Sequence, residues 1–526
     1  MKKLLYILLF IALSFLCYGN VLGTWFLSDD HQWLDAYRSD LLTLLKNNFT
    51  DAFFLPLTHF AEFFAFRIFG YNAKAYHVMT LLLHTVNAML AGLLLKRIFR
   101  FYKIKADNSY LFYFAGLLFL TLPYQTEAVT WYSAKSYVIA TFLFLIAFIC
   151  YLKYKENGKQ KHILISFTAF ALSLFTKEIT IVFPLIIVLF ELTSGMKGIK
   201  KKLILTGIYF GLLALYLLIR YFVLGAIIGG YNEEVHLNFS LKILLYNYLL
   251  YFIKFFVFFR YLPMHTTPVY LLIVILFVAL FILFVRRMMD DKDNYKAKLM
   301  LIVVMVFFFV ILLLPVINLE TTSLTQVQSD RYGYLPSLAA VFIIAVFIEF
   351  LSRNRIFKNI VYACLVIIFT YFTINTNKLW HDAGLKAEKI VNSIIKQTTA
   401  STSDLYIINA PDNYHGIYMF RAGLKEAVYS IDSRTAPVKM HILAYQINNS
   451  NLKASLSRND SNTYTIALPA GDSFVNKNSD TLKYRTVVKV LHRDNTHIEF
   501  QIPFLDNPSS ENLFLYYDND MMQRVR

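Results

Sequence analysis

The sequence predicts a polytopic α-helical membrane protein of about eleven spans, followed by a small α+β or β-rich domain. Three observations predict it. Of 526 residues, 57% are hydrophobic and only 16% are charged, where soluble domains carry roughly 25% charged residues. Apolar runs of roughly 17–22 residues, enough for a helix to cross a bilayer core, recur through the first 375 positions. Beyond residue 376 the chain turns polar and alternates, with turn residues between short apolar segments. Two domains are therefore expected, 1–375 in the membrane and 376–526 outside it.

The spans are placed near 4–22, 77–95, 110–123, 136–152, 162–175, 178–193, 203–224, 268–285, 298–317, 334–351 and 357–374. The opening "MKKLLYILLFIALSFLCYGN" has a basic start and an apolar centre, as a signal peptide does. No small-x-small cleavage site follows, and it is read as a retained first helix. The formal charge of +17 does not point to nucleic acid, because its cations sit beside the ends of apolar runs. Examples are "KRIFRFYKIK" (96–105), "KYKENGKQK" (153–161), "KGIKKK" (197–202) and "RNRIFK" (353–358). That distribution is the positive-inside pattern. It puts the N-terminus in the cytoplasm and the C-terminal domain outside the cell inner (cytoplasmic) membrane. The region 241–260 is apolar but carries Lys242, Lys254 and Arg260, so it is expected at the outer interface or as a re-entrant segment. Cys17, Cys150 and Cys364 all lie in apolar runs and offer neither a disulfide framework nor metal-ligand spacing.

In the polar region, "DLYIINA" (404–410), "TYTIALPA" (463–470), "RTVVKVLH" (485–492) and "HIEFQIPF" (497–504) read as strands. Residues 378–399 read as a helix before them.

With this topology the polar residues that crowd against helix ends gather on the outer side. "TWFLSDDHQW" (24–33) places Asp29 and Asp30 directly after the first span. An ionised Asp at membrane depth costs roughly 2.5–3.5 kcal/mol, so a carboxylate pair at a helix mouth suggests use. Such a group can take a proton from an acceptor hydroxyl; a solvated helix end is the plain alternative. Glu127 in "PYQTEAVTW" starts the next outer helix and suits either an acceptor contact or a helix cap. His59, Glu62, His77 and His84 interrupt the aromatic stretch 55–87, where ordinary polar helix faces are the plain reading. Lys177 and Glu178 in "FTKEIT", and Arg331 and Tyr332 in "DRYGYLPS", again sit at helix starts. Arg presents a planar fork and Lys a point charge, both suited to phosphate.

Taken in order, "FLSDDHQWL", the 55–87 stretch, "LPYQTEAVTWYSAKSY", "FTKEITIVFPLIIVLFEL" and "DRYGYLPS" resemble the membrane part of the tetratricopeptide-containing O-mannosyltransferases and their bacterial relatives, of the GT-C superfamily. The resemblance covers roughly residues 1–375. It implies a membrane glycosyltransferase that moves a sugar from a polyprenyl-phosphate donor to an extracytoplasmic acceptor, protein or glycan, with inversion. It implies that the catalytic base, an acidic residue of the first outer loop, lies in the Asp29–Asp30 pair and that the acidic position of the second outer loop is Glu127. Lys177, Arg331, Tyr332 and, as a looser match, Lys135 would meet the donor phosphate. His59, Glu178 and His77 are candidate substrate contacts. No cofactor is required by these residues; a divalent cation, Mg2+ or Mn2+, could sit between Asp29 and Glu127. The repeats of that family are missing here, and a β-rich segment stands in their place. A polysaccharide polymerase or ligase, or a transporter or flippase of lipid-linked sugars, is the alternative reading.

Overall fold

The computed structural model describes residues 2–47, 54–195, 198–227, 240–261, 275, 279–287, 295–318, 324–432, 438–448, 454–460, 462–469, 471–475, 488–502 and 512–525. Most of the expected span 268–285 lies outside them. Among the described residues six helices are long and apolar enough to cross a membrane: Leu4–Gly23, Ala73–Phe101, Tyr132–Asn157, Ile199–Leu224, Tyr295–Leu313 and Arg355–Gln397. Leu111–Thr121 and Ser337–Leu351 are shorter apolar helices, and Gln160–Leu174 and Phe183–Thr193 occupy two more of the expected positions. The protein is a multi-pass α-helical membrane protein with a β-rich C-terminal region.

The chain divides into two units. The first holds Met1–Gly19, Asp40–Gly70 and Ala75–Asn377. Its centre is the helix Lys135–Asn157, whose Phe144, Phe148 and Tyr151 are fully buried. Phe148 meets the Phe190 ring edge-on at 4.9 Å, and Phe144 meets Phe183 at 5.2 Å. Aromatic rings pack here because lipid offers no hydrophobic drive between helices, so shape and dispersion must hold them. For the same reason small residues mark close crossings. A Cβ on Gly92 would lie well under 3.0 Å from the Phe112 carbonyl oxygen, so only glycine lets Ala73–Phe101 approach Leu111–Thr121 this closely. Buried polar groups are paired across helices. His84 Nε2–H donates to the Leu120 carbonyl at 3.1 Å, and its Nδ1 accepts the Tyr334 hydroxyl at 2.8 Å.

In the region 241–260, expected at the outer interface or as a re-entrant segment, the side chains of Lys254 and Arg260 are buried. The helix Leu241–Phe252 runs into a π-helical turn, Ile253–Val257, and Phe258 then takes φ +54° and turns the chain. Both cations thereby meet a buried carboxylate, which removes their need for headgroups or water.

The second unit holds Asn20–Ser39, Tyr71–Lys74 and Lys378–Arg526. Its strands are β1 (Asp404–Tyr414), β2 (Ile417–Tyr418), β3 (Lys439–Asn448), β4 (Ser455–Arg458), β5 (Thr463–Ala467), β6 (Ser473–Val475), β7 (Lys489–Arg493), β8 (His497–Gln501), β9 (Asn512–Asp518) and β10 (Met521–Arg524). One sheet runs β10-β9-β1-β3-β6 with β2 on β1; the other runs β4-β5-β8-β7. β1 is central and parallel to both β3 and β9, pairing Asp404 with Lys439 and with Asn512. A parallel pair needs a crossover, and the helix Leu424–Ile431 supplies it between β1 and β3. Nine of the eleven β1 residues are buried, as a strand covered on both faces must be. Pro411 cannot donate to the ladder, and the β1–β3 register shifts between Pro411 and Asn413. The two sheets share one apolar core that includes Ile408, Leu443, Ile466, Phe500 and Phe514.

Candidate functional site

Two clusters hold the residues that the sequence singles out, one in each unit.

In the first unit a 3-10 turn, Pro123–Gln125, leads into the short helix Thr126–Thr130, which buries Glu127 completely. Its carboxylate accepts the Arg331 guanidinium at 2.6 Å, the Arg331 backbone N–H at 2.7 Å and the Ser329 N–H at 3.3 Å. Ser329, at φ +66°, sets this turn. Burial raises the Glu127 carboxyl above its ordinary value, with Arg331 pulling against it. Glu127 therefore acts on Arg331: it fixes the guanidinium over the Trp131 and Tyr332 rings, 5.0 and 4.6 Å from their centres. The Tyr332 ring meets Tyr137 at 6.0 Å, and Lys177 Nζ lies 5.2 Å from the centre of Tyr137. The phosphate-binding candidates Arg331, Tyr332 and Lys177 are thus joined by successive ring contacts.

Around Lys177, Glu178 is taken mainly by Arg220 at 2.7 Å and lies 3.9 Å from Lys177. His59 is buried on the helix Pro56–Phe69, which is tied to the lysine's loop by the Thr58 hydroxyl donating to the Thr176 carbonyl at 2.9 Å. Burial, reinforced by the Lys177 charge, pushes the His59 imidazole down to about 4, so it is neutral at physiological pH. His77 is buried on the helix Ala73–Phe101. Lys135 is paired with Glu62 at 2.5 Å, which also accepts the Tyr132 hydroxyl at 2.8 Å. Its ammonium lies 4.0 Å from the Tyr132 ring centre and 4.8 Å from that of Tyr76.

The residue missed from sequence is Asp330, fully buried. Lys254 contacts it at 2.5 Å and Arg260 at 2.6 and 3.1 Å, both cations lying over the Tyr124 ring. The available signal was two cations inside an otherwise apolar run, which demand a buried partner. Lys254, Arg260 and Arg331 together face the carboxylates of Asp330 and Glu127.

The second unit carries the aspartate turn. Asp29 and Asp30 open the helix Asp29–Ala36, where the helix dipole favours negative charge. Asp30 is only 2% exposed, and its carboxylate accepts the Leu27 N–H at 2.9 Å. Asp29 is half-buried and accepts the Ser28 hydroxyl at 3.1 Å. Ser28 itself has φ +50° and ψ −121°, a strained backbone for a residue with a Cβ. Its N–H donates to the Met419 carbonyl at 2.6 Å. Strain of this kind persists only where surroundings impose it, and here the loop after β2 does so.

Gly423 completes the clamp. It has φ +79°, and a Cβ there would lie well under 3.0 Å from the Ser28 carbonyl oxygen and 3.2 Å from the His31 Cβ. Gly423→Ala is expected to destabilise this unit by about 1–3 kcal/mol and to displace the aspartate turn. Thermal unfolding together with turnover checks it; an alanine variant that melts and turns over like the parent would refute the clamp.

His31, fully buried, donates its Nε2–H to the Phe26 carbonyl at 3.1 Å. Burial pushes it down from 6.5 to about 3. The unfolded chain thus binds a proton below pH 6.5 that the folded unit refuses down to about pH 3. Stability is full above that window and falls with acid by up to about 1.4 kcal/mol per pH unit. In His31→Gln, the acid slope of the melting temperature should be smaller by this one proton; an unchanged slope would show that His31 is not the group.

Among the described residues no group of three His, Cys, Asp or Glu side chains is placed to hold a metal ion.

No family model matches the chain. Over 157 residues it is 29% identical to the protein O-mannosyl-transferase TMTC2 of Mus musculus and equally to that of Homo sapiens. The match covers 27% of this chain and 18% of each relative, so the chain spans under a fifth of their length. In the solved structures, ArnT from Cupriavidus metallidurans bound to undecaprenyl phosphate aligns over 94% of this chain and 97% of its own, at TM-score 0.44 and 10% identity. The oligosaccharyltransferase of Archaeoglobus fulgidus aligns over 84% and 62%, at TM-score 0.46 and 12% identity. The sequence match bears out the resemblance carried by the motifs: over these 157 residues the chain is similar to protein O-mannosyl-transferases.

Proposed function

We propose that the protein transfers a sugar from a polyprenyl-phosphate donor to an acceptor outside the cytoplasmic membrane, with its N-terminus inside and its C-terminal domain outside. The observation that carries the reading is the ring-linked row of cations, Arg331 held by Glu127 at 2.6 Å and Lys177 over Tyr137. Such a row suits one phosphate whose lipid tail lies among the helices.

In this reading Asp29 takes the proton of the acceptor hydroxyl. The acceptor oxygen bonds to the anomeric carbon as the bond from that carbon to the phosphate oxygen breaks, which inverts the centre. The electron pair leaves with polyprenyl phosphate, an anion that the Arg331 and Lys177 charges stabilise without a general acid. Asp30 keeps the turn in shape. Glu127 serves as the anchor of Arg331, and Lys135, with its charge met by Glu62, holds the loop after it.

The test supplies polyprenyl-phosphate sugars, labelled in the sugar, to proteoliposomes and separates products by extraction. Label joined to an acceptor, with polyprenyl phosphate released in equal amount, is expected. Label that crosses the bilayer still on its lipid would replace this reading by a flippase, and polymerised label by a polymerase.

A further inference from the structure

The C-terminal end of the helix Lys135–Asn157 gathers a second set of charged groups, which the proposed reaction does not use. Gly158 takes φ +68°, and its N–H closes that helix on the Tyr154 carbonyl at 2.8 Å. The helix Gln160–Leu174 therefore starts right beside the end of the first. The helix Ile199–Leu224 starts here as well: its Lys201 ammonium lies 5.5 Å from the centre of the Tyr154 ring. Farther along, the Ser166 and Tyr209 hydroxyls are 2.6 Å apart, and the Tyr209 ring meets Phe167 at 4.8 Å. The two starting helices thus run side by side from this end.

The acids at this end are engaged. Over 96–105, 153–162 and 191–202 the chain has two acids, Glu156 and Glu191, against thirteen Lys and Arg. Glu156 is met by Arg97, and Glu191 by Lys155 at 2.8 Å and Lys202 at 3.6 Å. Lysines in the last turn of a helix answer its dipole and call for no ligand. Lys153 and Lys155 are of that kind. Lys159, Lys161, Lys200 and Lys201 are not, because they stand at the starts of their helices, where the dipole is itself positive. All four are exposed. Lys159 and Lys161 act together with Lys153 and Arg97 on His162. Two helix starts and their ammonium groups raise one positive potential, which favours an anion.

Below the cations both helices turn apolar side chains outward, Leu164 and Ile165 on one, Leu203 and Ile204 on the other. On spanning helices such side chains meet acyl chains. Charge at the membrane edge with a hydrocarbon face directly beneath is the division of an acidic phospholipid. A soluble anion would use the charge and leave the apolar face unmatched. We propose that the starts of Gln160–Leu174 and Ile199–Leu224, beside the end of Lys135–Asn157, bind an anionic glycerophospholipid. Its phosphate meets Lys161 and Lys201, and its acyl chains lie along Leu164 and Leu203. The binding stands apart from the transferase reading; only the leaflet, the cytoplasmic one, follows from the proposed orientation.

The full-length protein in detergent is incubated with phosphatidylglycerol, with phosphatidylcholine and with phytate, a soluble polyphosphate. What stays with it through gel filtration is quantified by mass spectrometry. Phosphatidylglycerol should be retained at a ten-fold or more lower concentration than phosphatidylcholine, and less so as salt is raised. The double variant K161Q/K201Q should lose that preference by ten-fold or more, with an unchanged melting temperature in lipid-free detergent. R353Q/R355Q removes the same charge from the turn between Ser337–Leu351 and Arg355–Gln397, and should alter retention less than two-fold. Equal losses in the two double variants would mean a diffuse field, and overturn the site. Retention that K161Q/K201Q leaves unchanged overturns it too. Phytate that binds as tightly as phosphatidylglycerol and displaces it would make the occupant a soluble anion, and end the lipid proposal.

Discussion

Asp29→Asn is expected to lower sugar transfer by about 10²–10⁴-fold at saturating donor, the range lost when a general base is removed. The effect should fall on kcat, with KM for the donor little changed, because an amide of the same shape binds as before but takes no proton. The neighbouring residue supplies the internal control. Asp30 is 2% exposed and its oxygen is engaged by the Leu27 N–H at 2.9 Å, a bond that an Asn carbonyl can accept. Asp29 is half-buried and accepts the Ser28 hydroxyl at 3.1 Å from the side. Asp30→Asn should therefore cost much less turnover, with an effect on melting of roughly 1 kcal/mol. Initial rates of the two variants, compared with melting curves, decide the assignment. If Asp29→Asn keeps more than about a tenth of the parental rate, Asp29 is not the base.

The second large effect concerns stability. Asp330→Ala leaves Lys254 and Arg260, with side chains 7% and 8% exposed, around an empty space where their counter-charge stood. Removing one partner of a buried ion pair costs about 3–5 kcal/mol, and here two cations lose the same partner. Unfolding in a detergent titration should show a loss at the top of that range or beyond. Repeating it in a Lys254→Met background should recover part of the loss, since one orphaned charge has then gone. A change below about 1 kcal/mol in Asp330→Ala would mean that water or lipid headgroups reach these cations.

What the sequence revealed follows from what each signal depends on. The bilayer fixes the length of a spanning helix, so apolar runs and their basic flanks were readable from the chain alone. β1 was readable by its strand-forming residues. Its burial on both faces and its parallel partners were not, because they are decided by a crossover helix and by β9, far along the chain. Residues 357–374 and 378–399 read as two helices. They form one, Arg355–Gln397, since the "INTN" between them contains neither proline nor glycine to break it. Arg331, Tyr332 and Lys177 were legible as phosphate-type residues at helix starts, and ring contacts do link them. Asp330, one position before Arg331, carries no such signal in its own stretch. Its meaning appears only when the π-helical turn brings Lys254 round to it. Local pattern reports chemistry type; the pairing of charges is a tertiary property.

The clamp on the aspartate turn also has a consequence in time. Ser28 is held by Met419 and Gly423, so the two carboxylates emerge from the ribosome early and the surface that shapes them emerges late. A nascent chain halted before Met419 would carry both acids at the mouth of its first helix in no defined pose. On the proposed reading, the reaction they serve would start only when the polar region has folded back onto residues made far earlier.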